Sequence, residues 1–136
     1  MSQSNLDLAR RWMNDVWNTR IEATIDELLA PHAVGHADGR PNIHGVSEFR
    51  EYRGALLNAF PDLHLEVEDA VCSGDHVAVR WRVSGTHDGD GLGIGATNKA
   101  ADFWGMTWFR FSDGRLVEGW DAWNQGGLMQ RLQQSE

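Results

Sequence analysis

Cysteine is almost missing: Cys72 stands alone among 136 residues, so no internal disulfide can form and the fold must rest on its own core. A lone thiol suits a reducing compartment, and a cytoplasmic location is the expectation. Positive charge is scarce as well. Twelve Lys and Arg face 20 Asp and Glu, a formal net charge of −8, with no cluster of Lys or Arg anywhere. Nucleic acid and anionic membrane both need a concentrated positive face, so neither is expected as a partner. No apolar run approaches the roughly 18 residues of a membrane span. The first residues, Met1 to Asn5, lack the basic stretch and apolar core of a secretory signal, and no leader is expected. Repeats, low-complexity tracts and long linkers are also lacking, so residues 1–136 read as a single domain, long enough to enclose a core and a small cavity.

Tryptophan is abundant instead. Seven are present, mostly in the second half, and the question becomes what so aromatic a chain encloses. Leu6, Ala9, Met13, Val16 and Trp17 recur at helical spacing, with Ser4 and Asp7 as a capping box at the start. Asn18-Thr19-Arg20 breaks the run. A second stripe, Ile21, Ile25, Leu28 and Leu29, is closed by Pro31. Residues 32–45 are irregular and read as a loop or short strand. Val46 to Phe60 reads as a third helix, stopped by Pro61-Asp62.

Beyond Pro61 the apolar period changes from 3.6 to 2. Leu63, Leu65 and Val67 alternate with polar residues. Past the turn Ser73-Gly74-Asp75, so do Val77, Val79, Trp81 and Val83. Phe103 to Phe111 and Leu116 to Trp123 form two more strands around Ser112-Asp113-Gly114, and a short polar helix follows Gly126-Gly127. Helices first and antiparallel strands after is an α+β pattern, with the helices covering one face of a bent sheet. Alternation sorts the strand residues by face. If Asp121 points inward, so do Val117, Gly119 and Trp123. Phe103, Gly105, Thr107 and Phe109 share one face of the preceding strand, and Trp104, Met106 and Trp108 the other. A sheet that is apolar on both sides must be covered on both, so a homodimer through Trp104, Met106, Trp108 and Trp120 is expected. Packing of these tryptophans under the C-terminal segment is the alternative.

Phe60-Pro61-Asp62-Leu63, Val67-Glu68-Asp69, Gly74-Asp75-His76-Val77, Arg80-Trp81, Gly85-Thr86-His87, Asp113-Gly114-Arg115-Leu116-Val117-Glu118 and Trp120-Asp121 occur in this order along nearly the whole chain. The set resembles the SnoaL-like polyketide cyclases. The resemblance implies a cone-shaped α+β barrel, shared with nuclear transport factor 2, scytalone dehydratase and ketosteroid isomerase, in which three N-terminal helices pack into a strongly curved antiparallel or mixed sheet. It also implies that an inward aspartate on the last strand, here Asp121, is the general acid/base of an intramolecular aldol closure of a polyketide ester, without metal or cofactor. The family's strand histidine is matched by Thr107. His87 matches a histidine seen in members, and the loop that usually carries two prolines reads Gly93-Ile94-Gly95-Ala96-Thr97-Asn98.

In physical terms, an aspartate walled by Trp81, Phe103, Phe109 and Trp123, with Thr107 beside it, would have its charged form penalised and its pKa raised, so that it could take and return a proton near neutrality. A salt bridge to Arg110 or Arg131 is the bland alternative for Asp121. His36 and His87 are candidates to line the pocket and to donate to a developing enolate, with satisfied surface histidine as their alternative. His32, His36 and His44 lack the cysteine or carboxylate company of a metal site, and no metal is expected. Asp38-Gly39 reads as a turn. The only tyrosine, Tyr52, falls in the third helix, unlike the first-helix tyrosine of ketosteroid isomerase. The glycines at 85, 89, 91, 93 and 95 read as a mobile lip between strands. The expected function is cofactor-free proton transfer on a small apolar carbonyl compound or polyketide-like ester. The rivals are a noncatalytic binding module and a plain dimerisation module of the same fold.

Overall fold

The computed structural model describes residues 4–134; the first three residues, on which the reading of the leader partly rests, lie outside the described residues. Helix α1 (Asn5–Trp17) starts where the Ser4 side chain accepts the Asp7 N–H, and it buries Leu8, Ala9, Trp12, Met13 and Val16. After α2 (Glu22–Leu28) the chain enters β1 (Leu29–Ala37), a two-residue β2 (Ile43–His44) and α3 (Gly45–Ala59). Four long strands follow: β3 (His64–Ser73), β4 (His76–Thr86), β5 (Ala100–Ser112) and β6 (Arg115–Trp123), before α4 (Gln125–Gln133). They form one mixed sheet in the order β2-β1-β6-β5-β4-β3, with β1 parallel to β6 and the other pairs antiparallel.

The irregular stretch after α2 is thus mostly strand. Pro31 lacks an N–H, which masks the strand in the sequence, but β1 tolerates it where its pairing with β6 shifts register between Leu29 and Val34. The helices cover the inner face of the sheet. One buried Arg joins them: Arg53 of α3 donates to the Val16 carbonyl at 2.9 Å and to Glu22 Oε1 at 2.7 Å. Among the described residues no helix is long and apolar enough to cross a membrane.

The β5–β6 hairpin decides which side chains face inward. Asp113 and Gly114 both have positive φ, 51° and 76°, the signature of a two-residue type I′ turn, and Ser112 pairs with Arg115. Continued without interruption, that register would set Asp121 opposite Met106, whose side chain points out. Between Phe111↔Leu116 and Arg110↔Glu118 the register slips by one residue. This bulge at Val117 brings Thr107 opposite Asp121 and turns both inward. Leu116, buried, takes the inward place expected for Val117, which is half-buried.

Candidate functional site

Between the helices and the inner sheet face lies a cavity open at one end. Its volume is about 100 Å³, and its lining is mainly apolar. Trp12 and Met13 of α1, Phe49, Tyr52 and Leu56 of α3, and Leu63 and Leu65 contribute apolar wall. The sheet contributes Trp81, Phe103, Thr107, Phe109, Asp121 and Trp123. The five side chains expected as pocket, Trp81, Phe103, Thr107, Phe109 and Trp123, therefore lie on one surface with Asp121. Phe103 and Trp123 stack at 4.9 Å, and Trp81 meets Phe103 edge-on at 6.2 Å.

Asp121 is half-buried on this wall. Thr107 Oγ1 donates to Asp121 Oδ1 at 2.5 Å, and Trp81 Nε1 donates to Thr107 Oγ1 at 2.9 Å. An indole N–H can only donate. Having accepted it, the Thr107 hydroxyl is set to aim its own proton at the carboxylate. One Asp121 oxygen is thereby occupied and the other is left for a guest. Burial among apolar walls disfavours the charged carboxylate and pushes its pKa up from 3.8 to about 6, and the Thr107 hydrogen bond pulls the other way. Asp121 makes no salt bridge with Arg110 or Arg131; Arg110 pairs with Glu118 at 3.2 Å.

The two histidines expected beside Asp121 are elsewhere. His36 faces outward on β1, stacked on Trp120 at 5.3 Å, with Nε2 2.7 Å from Glu118 Oε2 and Nδ1 3.2 Å from Asn42 Oδ1. Strand alternation puts it across the sheet from the cavity. His87 is fully buried but does not line the cavity. Its Nδ1 accepts the Thr97 N–H at 3.1 Å, and its main-chain N–H donates to the Lys99 carbonyl, pinning the base of the loop 88–98. That loop is no lip over the cavity either. A Cβ on Gly89 or Gly91 would sit 2.0 Å from a main-chain oxygen of α3, so the loop lies flat against that helix, and none of its residues lines the cavity.

Tyr52, named in the sequence only for not matching the first-helix tyrosine of ketosteroid isomerase, was not expected in the pocket. It projects from α3 into the cavity, with the Arg40 guanidinium 4.7 Å from its ring centre. Its helical stripe gave a signal, since Phe49, Tyr52 and Leu56 lie three and four residues apart. The outer face of the sheet carries Trp104, Met106, Trp108 and Trp120, all exposed. No group of three or more His, Cys, Asp or Glu that could hold a metal occurs among the described residues.

Known proteins extend this picture. A protein of Jannaschia sp. CCS1, provisionally named a SnoaL-like polyketide cyclase, superposes with a TM-score of 0.91 at 21% identity over 100% of this chain and 99% of its own. IdmH of Streptomyces antibioticus, provisionally named a polyketide cyclase, is 26% identical with a TM-score of 0.82, over 96% and 99% of the two chains. AclR of Streptomyces galilaeus, provisionally named a hydroxylase, is 27% identical with a TM-score of 0.81, over 94% of each chain. Comparison with curated proteins gave no match. The family model for SnoaL-like polyketide cyclases matches residues 7–132, and the chain belongs to that family.

Proposed function

We propose that this protein moves protons at a carbon next to a carbonyl, in a small apolar ketone or polyketide-like ester, a step that a polyketide ring closure would require. The observation that carries the reading is the Asp121 carboxyl in an apolar cavity, one oxygen held by Thr107 and its pKa lifted to about 6. A base of that strength is half-ionised at about pH 6 and still about a tenth protonated at pH 7, so it can both take a proton and return it. Asp121 removes the C–H proton, and the bonding pair moves into a carbon–carbon double bond as the carbonyl oxygen becomes an enolate. The enolate carbon then either regains a proton at another position or attacks a second carbonyl of the same molecule. In the second case Asp121 returns its proton to the new alkoxide. Holding a folded chain against the base contributes on the order of 7 kcal/mol in favourable intramolecular cases, and the aromatic walls serve that role. The step uses side chains alone.

Hydrogen exchange is the test. In D2O, proton NMR of 2-tetralone and of an aromatic 3-oxo ester should show the α-hydrogens lost faster with the protein than in buffer. Asp121→Asn should lower that excess rate at least ~100-fold while ligand binding, read by tryptophan fluorescence, persists. Binding without any exchange would instead identify the noncatalytic binding module, and absence of binding the plain dimerisation module.

We also propose that a second copy of the chain covers the outer sheet face. Trp108 and Trp120 are register partners there, flanked by Trp104 and Met106. The charges around them are already paired within the chain: Arg80 with Glu68, Arg82 with Asp102 and Arg110 with Glu118. Two molecules of net charge −8 can therefore meet on this face without burying an unmatched charge.

A further inference from the structure

Across the cavity from the sheet, α3 presents the chain's one tyrosine. Its surroundings fix what its hydroxyl can do. Tyr52 shares the cavity wall with Trp123 and Asp121. Arg40, on the loop after β1, lies 4.7 Å from the ring centre, and Phe49 packs against the same ring at 6.4 Å. Aromatic and cationic neighbours thus hold the ring in the cavity wall. Two donors near Asp121 are spoken for: the Trp81 N–H goes to Thr107 and the Thr107 hydroxyl to Asp121.

We infer that the Tyr52 hydroxyl, from the helical wall of the cavity, donates a hydrogen bond to the carbonyl oxygen of a ketone or ester whose neighbouring carbon faces Asp121. This rests on the function proposed above and assigns the second half of the site. Deprotonation at carbon places negative charge on oxygen, and a neutral donor aimed there stabilises the enolate more than the ketone. Burial, with the nearby Asp121 charge, holds the phenol proton well above its ordinary range, so Tyr52 stays a donor wherever Asp121 is ionised. Tyr52 keeps its proton throughout; the proton that moves belongs to Asp121 and carbon.

The chain's single tyrosine makes the test specific. The probe is 2-tetralone, its carbonyl stretch read by infrared difference spectroscopy at pH 8, about two units above the Asp121 midpoint, where Asp121 can only accept. In the wild type the bound band should lie below its frequency in an apolar solvent. In Tyr52→Phe it should return to the apolar-solvent value, with binding weakened roughly 3- to 10-fold, the loss of one neutral hydrogen bond. Biosynthetic replacement of tyrosine by 3-fluorotyrosine labels this site alone. Its more acidic hydroxyl should lower the band further, and its fluorine resonance should move on ketone binding, a readout that stands even if the phenylalanine variant folds poorly. A band unchanged by both substitutions overturns the assignment of Tyr52. In that event, exchange still lost in Asp121→Asn leaves the role of Asp121 standing. Asp121→Asn with its carbonyl shift intact but its exchange unaltered overturns the base and not the donor. A cavity that takes up no ketone overturns both.

Discussion

In the proposed reaction Asp121 and Thr107 act as a pair, and their hydrogen bond makes a prediction in each direction. Thr107→Val removes the donor that favours the charged carboxylate, so the Asp121 pKa should rise and the midpoint of the pH–exchange profile should move to higher pH. Thr107→Ser should restore it. Trp81→Phe, which frees the threonine hydroxyl to turn away, should move the midpoint the same way by less. The pH profile of the exchange reaction checks all three. Stability follows from the same group. Asp121 has a folded-state pKa of about 6 against 3.8, so its contribution is fully present below the lower value and is lost as pH rises through the upper one. Asp121→Asn is free of that loss. The variant should gain on the wild type as pH rises from 4 to 7, by no more than ~3 kcal/mol given partial solvent access, read as a growing difference in Tm. Thr107 gives the aspartate a hydrogen bond without adding a second titrating group.

Strand β6 shows how far the pattern of residues reaches and where it stops. Alternation picks out β3 to β6, the two hairpin turns, and the pocket side chains Trp81, Phe103, Thr107, Phe109 and Trp123, because burial on one face writes itself into period 2. The bulge at Val117 leaves no such mark. It can be inferred only by combining the tight Asp113-Gly114 turn with the demand that Asp121 face inward. Strand β1 was obscured for a different reason: it pairs in parallel with β6, a long-range contact with no local signature, and it contains a proline. His36 and His87 were misplaced because a histidine's role depends on which face or loop base receives it. Strand β5 makes its own prediction. A Cβ at Gly105 would lie 2.6 Å from the Trp81 ring and 2.7 Å from the Ala122 carbonyl oxygen, so β4 and β6 leave no room there. Gly105→Ala should destabilise by about 1–3 kcal/mol and disturb the Trp81–Thr107 bond, which thermal unfolding and the pH profile would show together.

At the level of the molecule, one curved sheet presents two different faces. The inner face holds the Asp121 carboxyl in an apolar cavity, and the outer face exposes the aromatic surface on which the dimer is proposed. Sedimentation velocity should find the wild type dimeric at micromolar concentration and Trp108→Glu monomeric with its secondary structure kept; a wild type that is monomeric throughout would remove the outer-face assignment without touching the inner. For the inner face, the most direct measurement is the titration of the Asp121 carboxyl carbon by 13C NMR, with Asp121→Asn identifying the resonance. The account predicts a midpoint near 6 that climbs in Thr107→Val; a midpoint at the ordinary aspartate value, indifferent to Thr107, would contradict it.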